Sequence, residues 1–305
     1  MTCRPTKHTN PNPFSHLMRP KQPLIFIHGS FHASWCWAEN FMPYLSSCGY
    51  PCYAISLRGT GGTFAGEGVK KVKIEQHVQD ITDFIKYVQE NESELNANVD
   101  SNPKPVLIAH SFGGLAIMKY LENQLLPLQD SDDDASSVNL PISGVVSMCS
   151  VPPSGNGKMT MRFLKRSLKD SWKVTAGLAM KKCISDEKLC RELFFDEGCN
   201  EDVHGISSDD LKRIQGYFER DTVATIDLMD LAKKLPSIHT DENGKAIFLE
   251  NDIASPNFVP ALVIGARDDF IVDEEGVVEL AKYYGVEEVM VESPHDVMLG
   301  TRWKN

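Results

Sequence analysis

The chain lacks most features that would place it in a specialised class. Its 305 residues hold no apolar run long enough to span a bilayer, so no stable membrane insertion is expected. No long basic run relieves a net charge of −11, which argues against nucleic acid or an anionic membrane surface as the main partner. The eight cysteines form no CxxC pair and no zinc-type Cys/His spacing. Neither HExxH nor a P-loop is found, so no metal, nucleotide or other cofactor is expected. Gly59-Thr-Gly61 follows a candidate strand, as a dinucleotide fingerprint would, but the third glycine position is Phe64. With no secretory signal, the expectation is an intracellular protein with reduced thiols, in which the Asn91-Glu-Ser93 sequon is a chance match. Residues 1–21 hold Arg4, Lys7, Arg19 and Lys21 but no acid. They read as part of a flexible arm (1–22), with a plastid transit remnant as the alternative, so cytoplasm and organelle both stay open.

What is present is a globular pattern. Apolar residues make up 42%, enough for a sizeable core. Nearly continuous apolar runs at Pro23–His28, Cys52–Leu57, Pro105–Ala109, Ile142–Met148, Ala261–Ile264 and Glu288–Val291 read as strands. Helical patterns lie between them at Trp35–Ser46, Ile74–Gln89 and Leu115–Leu126, with Asn91–Lys104 and Gln129–Ser137 as solvated loops. This alternation predicts an α/β fold, a mostly parallel sheet flanked by helices. From 153 to 257 the strand signals stop, and helices are predicted at Met159–Met180, Asp186–Phe195, Ser208–Glu219 and Thr222–Leu231. The domain reading is therefore a core of 23–152 and 258–305 with a helical cap inserted at 153–257.

The run "VLIAHSFGG" places Ser111 where a strand gives way to a helix, with Ala109 and Gly113 two residues to either side. That is the pattern of a nucleophile elbow, whose flanking residues must be small for strand and helix to approach. The bland reading is a helix N-cap serine. A serine needs a base and a group to orient it, in chain order Ser, acid, His. His295, in the loop after the last strand, is the base candidate, whereas His204 and His239 fall in the insertion or its margin. His110 is expected to pack structurally, and His28 and His32 to orient a loop. For the acid, "VIGARDDFIVD" offers Asp268, Asp269 and Asp273. The G-x-x-D spacing from Gly265 selects Asp268, with Asp269 as runner-up. Asp296 is expected not to reach back to the ring beside it. Backbone N–H groups of Phe112 and Ser30 are the candidate oxyanion donors.

These residues resemble the α/β-hydrolase superfamily over the sheet-forming parts. "HGSFHASWCW" is similar to the H-G-x-x-H-x-x-W-x-W opening of plant methylesterases and their hydroxynitrile-lyase relatives. "SLRGTGG" is similar to the D-x-R-G-x-G loop, with Ser56 in place of Asp. The resemblance implies a triad of Ser111, Asp268 and His295 acting on an ester or thioester of a small to medium lipophilic acid or alcohol. The cap is longer and richer in Met and Lys than in compact methylesterases, which leaves the substrate open. The lyase relatives place Thr where Gly29 stands and Lys after the catalytic His, where this chain has Asp296; both differences favour hydrolysis. Lyase-type chemistry and non-catalytic ligand binding remain as alternatives.

Overall fold

The computed structural model describes residues 1–4, 21–95, 103–129, 140–195, 206–236, 239–240, 246–247, 259–300 and 303–304. Along the chain these form β1 (Thr2–Cys3), β2 (Leu24–Ile27), α1 (Trp35–Ala38), α2 (Phe41–Ser47), β3 (Cys52–Ile55), β4 (Lys71–Val72), α3 (Ile74–Leu95), β5 (Val106–His110), α4 (Phe112–Gln129) and β6 (Gly144–Met148). An inserted segment follows with α5 (Asn156–Arg166), α6 (Leu168–Val174), α7 (Glu187–Phe194), α8 (Ser208–Asp221), β7 (Thr225–Ile226), α9 (Leu228–Lys233), β8 (His239–Thr240) and β9 (Ala246–Ile247). The chain then returns through β10 (Ala261–Asp268), α10 (Glu274–Tyr284) and β11 (Glu288–Pro294).

Seven strands form one sheet in the order β1-β3-β2-β5-β6-β10-β11, parallel except for β1. Both faces are covered, as continuous apolar strands require. Along β2, Ile25 and Ile27 join one core with α3, α4 and α10, while Leu24 and Phe26 join the other with α1, α2, α7 and α8. This two-residue alternation sets the layers. No described helix is long and apolar enough to cross a membrane.

Several expectations shift. Thr2 and Cys3, assigned to the N-terminal arm, pair with Tyr53 and Cys52 at the sheet edge. Residues 5–20 of that arm and 130–137 of the acidic tract lie outside the described residues. Helix α3 runs on to Leu95, five residues into the expected loop. The helix expected over Met159–Met180 breaks at Ser167, whose side chain caps the next helix by accepting from Asp170 N–H at 3.1 Å. In the span expected as a helix over Thr222–Leu231, Thr225 and Ile226 instead pair with Lys71 and Val72, and Asp227 caps the short α9. Two β-branched residues that meet a partner strand outweigh the helical period.

Candidate active site

At the end of β5 the backbone of Ser111 takes φ +52°, a left-handed conformation that serine rarely adopts. The two neighbouring elements make the turn tight. A side chain at Gly113 would lie 2.7 Å from the Ile27 carbonyl, and one at Gly29 would lie 2.7 Å from Ser111 Cβ. Glycine at both positions lets the loop after β2 press against the turn, bringing Ser30 beside Ser111. Ala109 is fully buried in the α3/α4 core, so the small side chain there serves packing. The strained φ argues against an ordinary N-cap, whose backbone is extended. Phe112 opens α4, so its backbone N–H has no partner inside the helix.

His295 is buried beyond the end of β11, its Nδ1 2.9 Å and 3.0 Å from the two carboxylate oxygens of Asp269. The acid facing the ring is therefore Asp269 and not Asp268. Strand β10 runs to Asp268, past the Ile264 expected from the sequence, with a register irregularity against β11 between Ala266 and Asp268. Asp268 thus stands in the ladder opposite Pro294 and is exposed, while Asp269 follows where the chain turns inward. The Asp269 carboxylate also accepts from the Ile271 and Val272 N–H groups at 2.7 Å and 2.9 Å. The buried Cys149 thiol, just past β6, lies within 4.8 Å of it. Asp273 serves elsewhere, capping α10 and pairing with Arg162 of α5, which ties the inserted segment to the sheet.

Burial by itself would lower the pKa of His295; the Asp269 carboxylate, with Asp296 beyond it, outweighs burial and holds the ring above its ordinary 6.5. The ring and the Ser111 hydroxyl line one cavity, together with Ser30 and Phe112. No hydrogen bond joins Ser111 Oγ to the ring. The cavity holds about 360 Å³ and is walled mainly by apolar side chains of both the core and the insertion, among them Leu57, Leu115, Met159, Phe163 and Leu178. One wall includes the π-helical turn Thr175–Ala179, a local irregularity often found at functional sites.

The other histidines hold this frame. His28 Nδ1 donates to the Gly29 carbonyl at 2.7 Å, and its Nε2 accepts from Leu57 N–H at 3.1 Å. His32 Nδ1 donates to the Ser30 carbonyl at 2.8 Å, while its Nε2 meets Asp296 at 3.0 Å. Asp296 thus reaches a different ring from its neighbour's. His110 Nε2 donates to the His295 carbonyl at 2.9 Å. His77, on the apolar face of α3, sets its ring edge-on to Phe112, and burial pushes it down to about 4, so it is neutral near pH 7. Ser56, in the position the resemblance gives to Asp, donates to Ser34 Oγ and accepts from Ser34 N–H.

Three contributors carry no clear signal in the sequence: Cys149, the His32–Asp296 pair and Asp221. Asp221, at the end of α8, accepts from Trp35 Nε1 at 2.9 Å, Gly61 N–H at 2.8 Å and Arg220, locking the insertion to α1 and the loop after β3. Only its position at a helix end beside an arginine hints at a structural role. Asp296 and His32 are both fully buried, so removing one strands the other. Asp296→Ala is expected to cost about 3–5 kcal/mol of stability. Thermal denaturation checks this, and an unchanged Tm would contradict it.

Comparison with known proteins agrees with this architecture. A family model described as "Alpha/beta hydrolase family" matches residues 24–301. Over 97 residues the chain is 29% identical to methylesterase 2 of Arabidopsis thaliana, covering 32% of each protein, so the match spans about a third of that relative's length. Among solved structures, a putative aryl esterase from Burkholderia cenocepacia has a TM-score of 0.54 at 16% identity, covering 92% of this chain and 86% of that one. A bromoperoxidase from Bacillus anthracis has a TM-score of 0.55 at 17% identity, covering 90% and 86%. At such identities the two structures speak for the fold alone.

Proposed function

The chain belongs to the alpha/beta hydrolase family, and on that premise we propose that it is a serine hydrolase of carboxylic esters. The substrate is an ester or thioester of a small to medium lipophilic acid or alcohol. One observation carries the reading: a strained Ser111 and a carboxylate-bound His295 wall the same apolar cavity. With Asp269 on Nδ1, the Nε2 of His295 is the nitrogen left to serve Ser111.

In the proposed reaction His295 Nε2 takes the Ser111 Oγ proton as the oxygen attacks the ester carbonyl. The Ser30 and Phe112 N–H groups stabilise the negative charge on the carbonyl oxygen. The tetrahedral adduct collapses, the alkoxide leaves with the proton held by His295, and an acyl-serine remains. Water then attacks this acyl group, again losing its proton to His295, and the acid is released. Asp269 keeps the ring oriented and stabilises its charged form throughout. The cavity volume is in the range that encloses a small organic ligand.

A fluorophosphonate probe tests the reading directly: it should label the protein at Ser111, and failure to label would remove the hydrolase assignment. The alternatives differ in products, since a lyase would release an aldehyde or ketone and a binding protein would release nothing. The pH profile is a second check. Only the neutral ring can act as base, so kcat/KM should rise as pH climbs through the His295 ionisation. Because Asp269 raises that pKa, the acidic limb should lie above 6.5. Asp269→Asn should move it down; a wild-type limb below 6.5 would contradict the assignment.

A further inference from the structure

The cavity has a charged end as well as a reacting end. Ser111 and His295 are buried at its floor, whereas Lys71 of β4 is exposed and Lys181, just beyond the π-helical turn, is half-buried. Exposure therefore orders the cavity, with the two lysines at its mouth. Both amines are anchored to the same short stretch of the insertion. Lys71 Nζ donates to Thr225 Oγ1 at 2.9 Å and Lys181 Nζ to the Thr222 carbonyl at 2.5 Å.

Neither amine has a carboxylate partner among the described residues. Other cations near the cavity are already matched: Arg58 is held by Asp80, and Arg220 by Asp221. Among the described residues the one acid lining the cavity, Asp221, is taken up by Trp35, Gly61 and Arg220. Burial, then the charge of Lys71, push the Lys181 ammonium pKa down, so the two cations feel each other. Two neighbouring cations with no carboxylate partner among the described residues are unexpected at the mouth of an apolar cavity in a chain with 42 acidic residues against 31 basic ones. An anion between them would remove the repulsion and gain two charge-assisted hydrogen bonds.

We propose that Lys71 and Lys181 form an anion-binding subsite, which selects ester substrates carrying a carboxylate or phosphate at the end remote from the scissile bond. The apolar walls would then house the carbon chain between ester and anion. This inference rests on the ester-hydrolase reading of the same cavity. It adds a requirement the apolar walls alone do not impose: charge at a fixed distance from the reacting carbonyl.

The test uses para-nitrophenyl esters of straight-chain acids of graded length. Each is compared with the half-ester of the dicarboxylic acid of equal length and with the ester of the phosphorylated terminal hydroxy acid. At one chain length kcat/KM should favour an anionic ester by about tenfold, mainly through KM, and added salt should erode the preference. The carboxylate and phosphate arms decide which anion is preferred. In the Lys71→Met/Lys181→Met double variant the ratio of anionic to neutral kcat/KM should fall to about one, and in Lys71→Glu/Lys181→Glu it should invert. Fluorophosphonate labelling of each variant shows that the site is still formed. A wild-type enzyme without charge preference at any length, or a double variant that keeps it, would overturn the inference. Should no ester turn over, binding of alkyl carboxylates against alkyl alcohols to Ser111→Ala, by displacement of an apolar fluorophore, decides the subsite separately. Equal binding of the two series would sink it.

Discussion

Ser111→Ala should abolish ester turnover, lowering kcat on the order of a million-fold, the loss that follows removal of a serine nucleophile from a working triad. Fluorophosphonate labelling should vanish with it. The fold should not suffer, because φ +52° is a conformation in which serine itself is strained and its hydroxyl makes no hydrogen bond to a described residue. A serine capping a helix behaves differently, since its loss costs about 1 kcal/mol of stability. Ser111→Gly sharpens the contrast. Relief of a left-handed backbone, worth about 1–2 kcal/mol, competes with the roughly 0.5–1 kcal/mol entropic cost of glycine. The glycine variant should therefore melt no lower than wild type while being equally inactive. A variant that keeps turnover, or that loses stability without losing turnover, would return Ser111 to a structural role.

The layered fold could be read because its signals are local. Continuous apolar strands and the three- and four-residue spacing along α3 report burial directly, and the sheet follows their alternation. The tight turn at Ser111 is legible for the same reason: its small neighbours sit beside it in the chain. What resisted reading depends on register and on distant partners. Thr225 and Ile226 become a strand because Lys71 and Val72 lie alongside them, more than a hundred and fifty positions earlier in the chain. Asp296 looks like a poor companion for His295 from adjacency alone, and its actual partner, His32, comes from the first loop of the sheet. The lysines at the cavity mouth are ordinary surface residues until folding brings β4 and the insertion together.

The acid shows how fine that limit is. Two adjacent aspartates at the end of β10 differ by one residue, and in a strand one residue reverses the direction of the side chain. Asp268 is the last residue of β10 and Asp269 the first beyond it, facing His295, an end point that spacing from Gly265 cannot reveal. Asp269→Asn should consequently lower kcat by about ten-thousand-fold, because an amide leaves the ring near its place but supports the wrong tautomer. Asp268→Asn, on the exposed side of the ladder, should leave kcat within about threefold, as is usual for surface changes. The structural cost of the inner substitution is expected to be measurable too. Asp269 accepts from Ile271 and Val272 N–H as well as from His295, and the amide oxygen can replace only part of that set. Kinetics therefore have to be read beside a thermal melt, comparing active-site labelling of the folded fraction. Equal losses in the two variants would mean that the strand end is merely fragile. A larger loss in Asp268→Asn would mean that the strand runs in the other register, and with it the orientation of His295 would have to be reassigned.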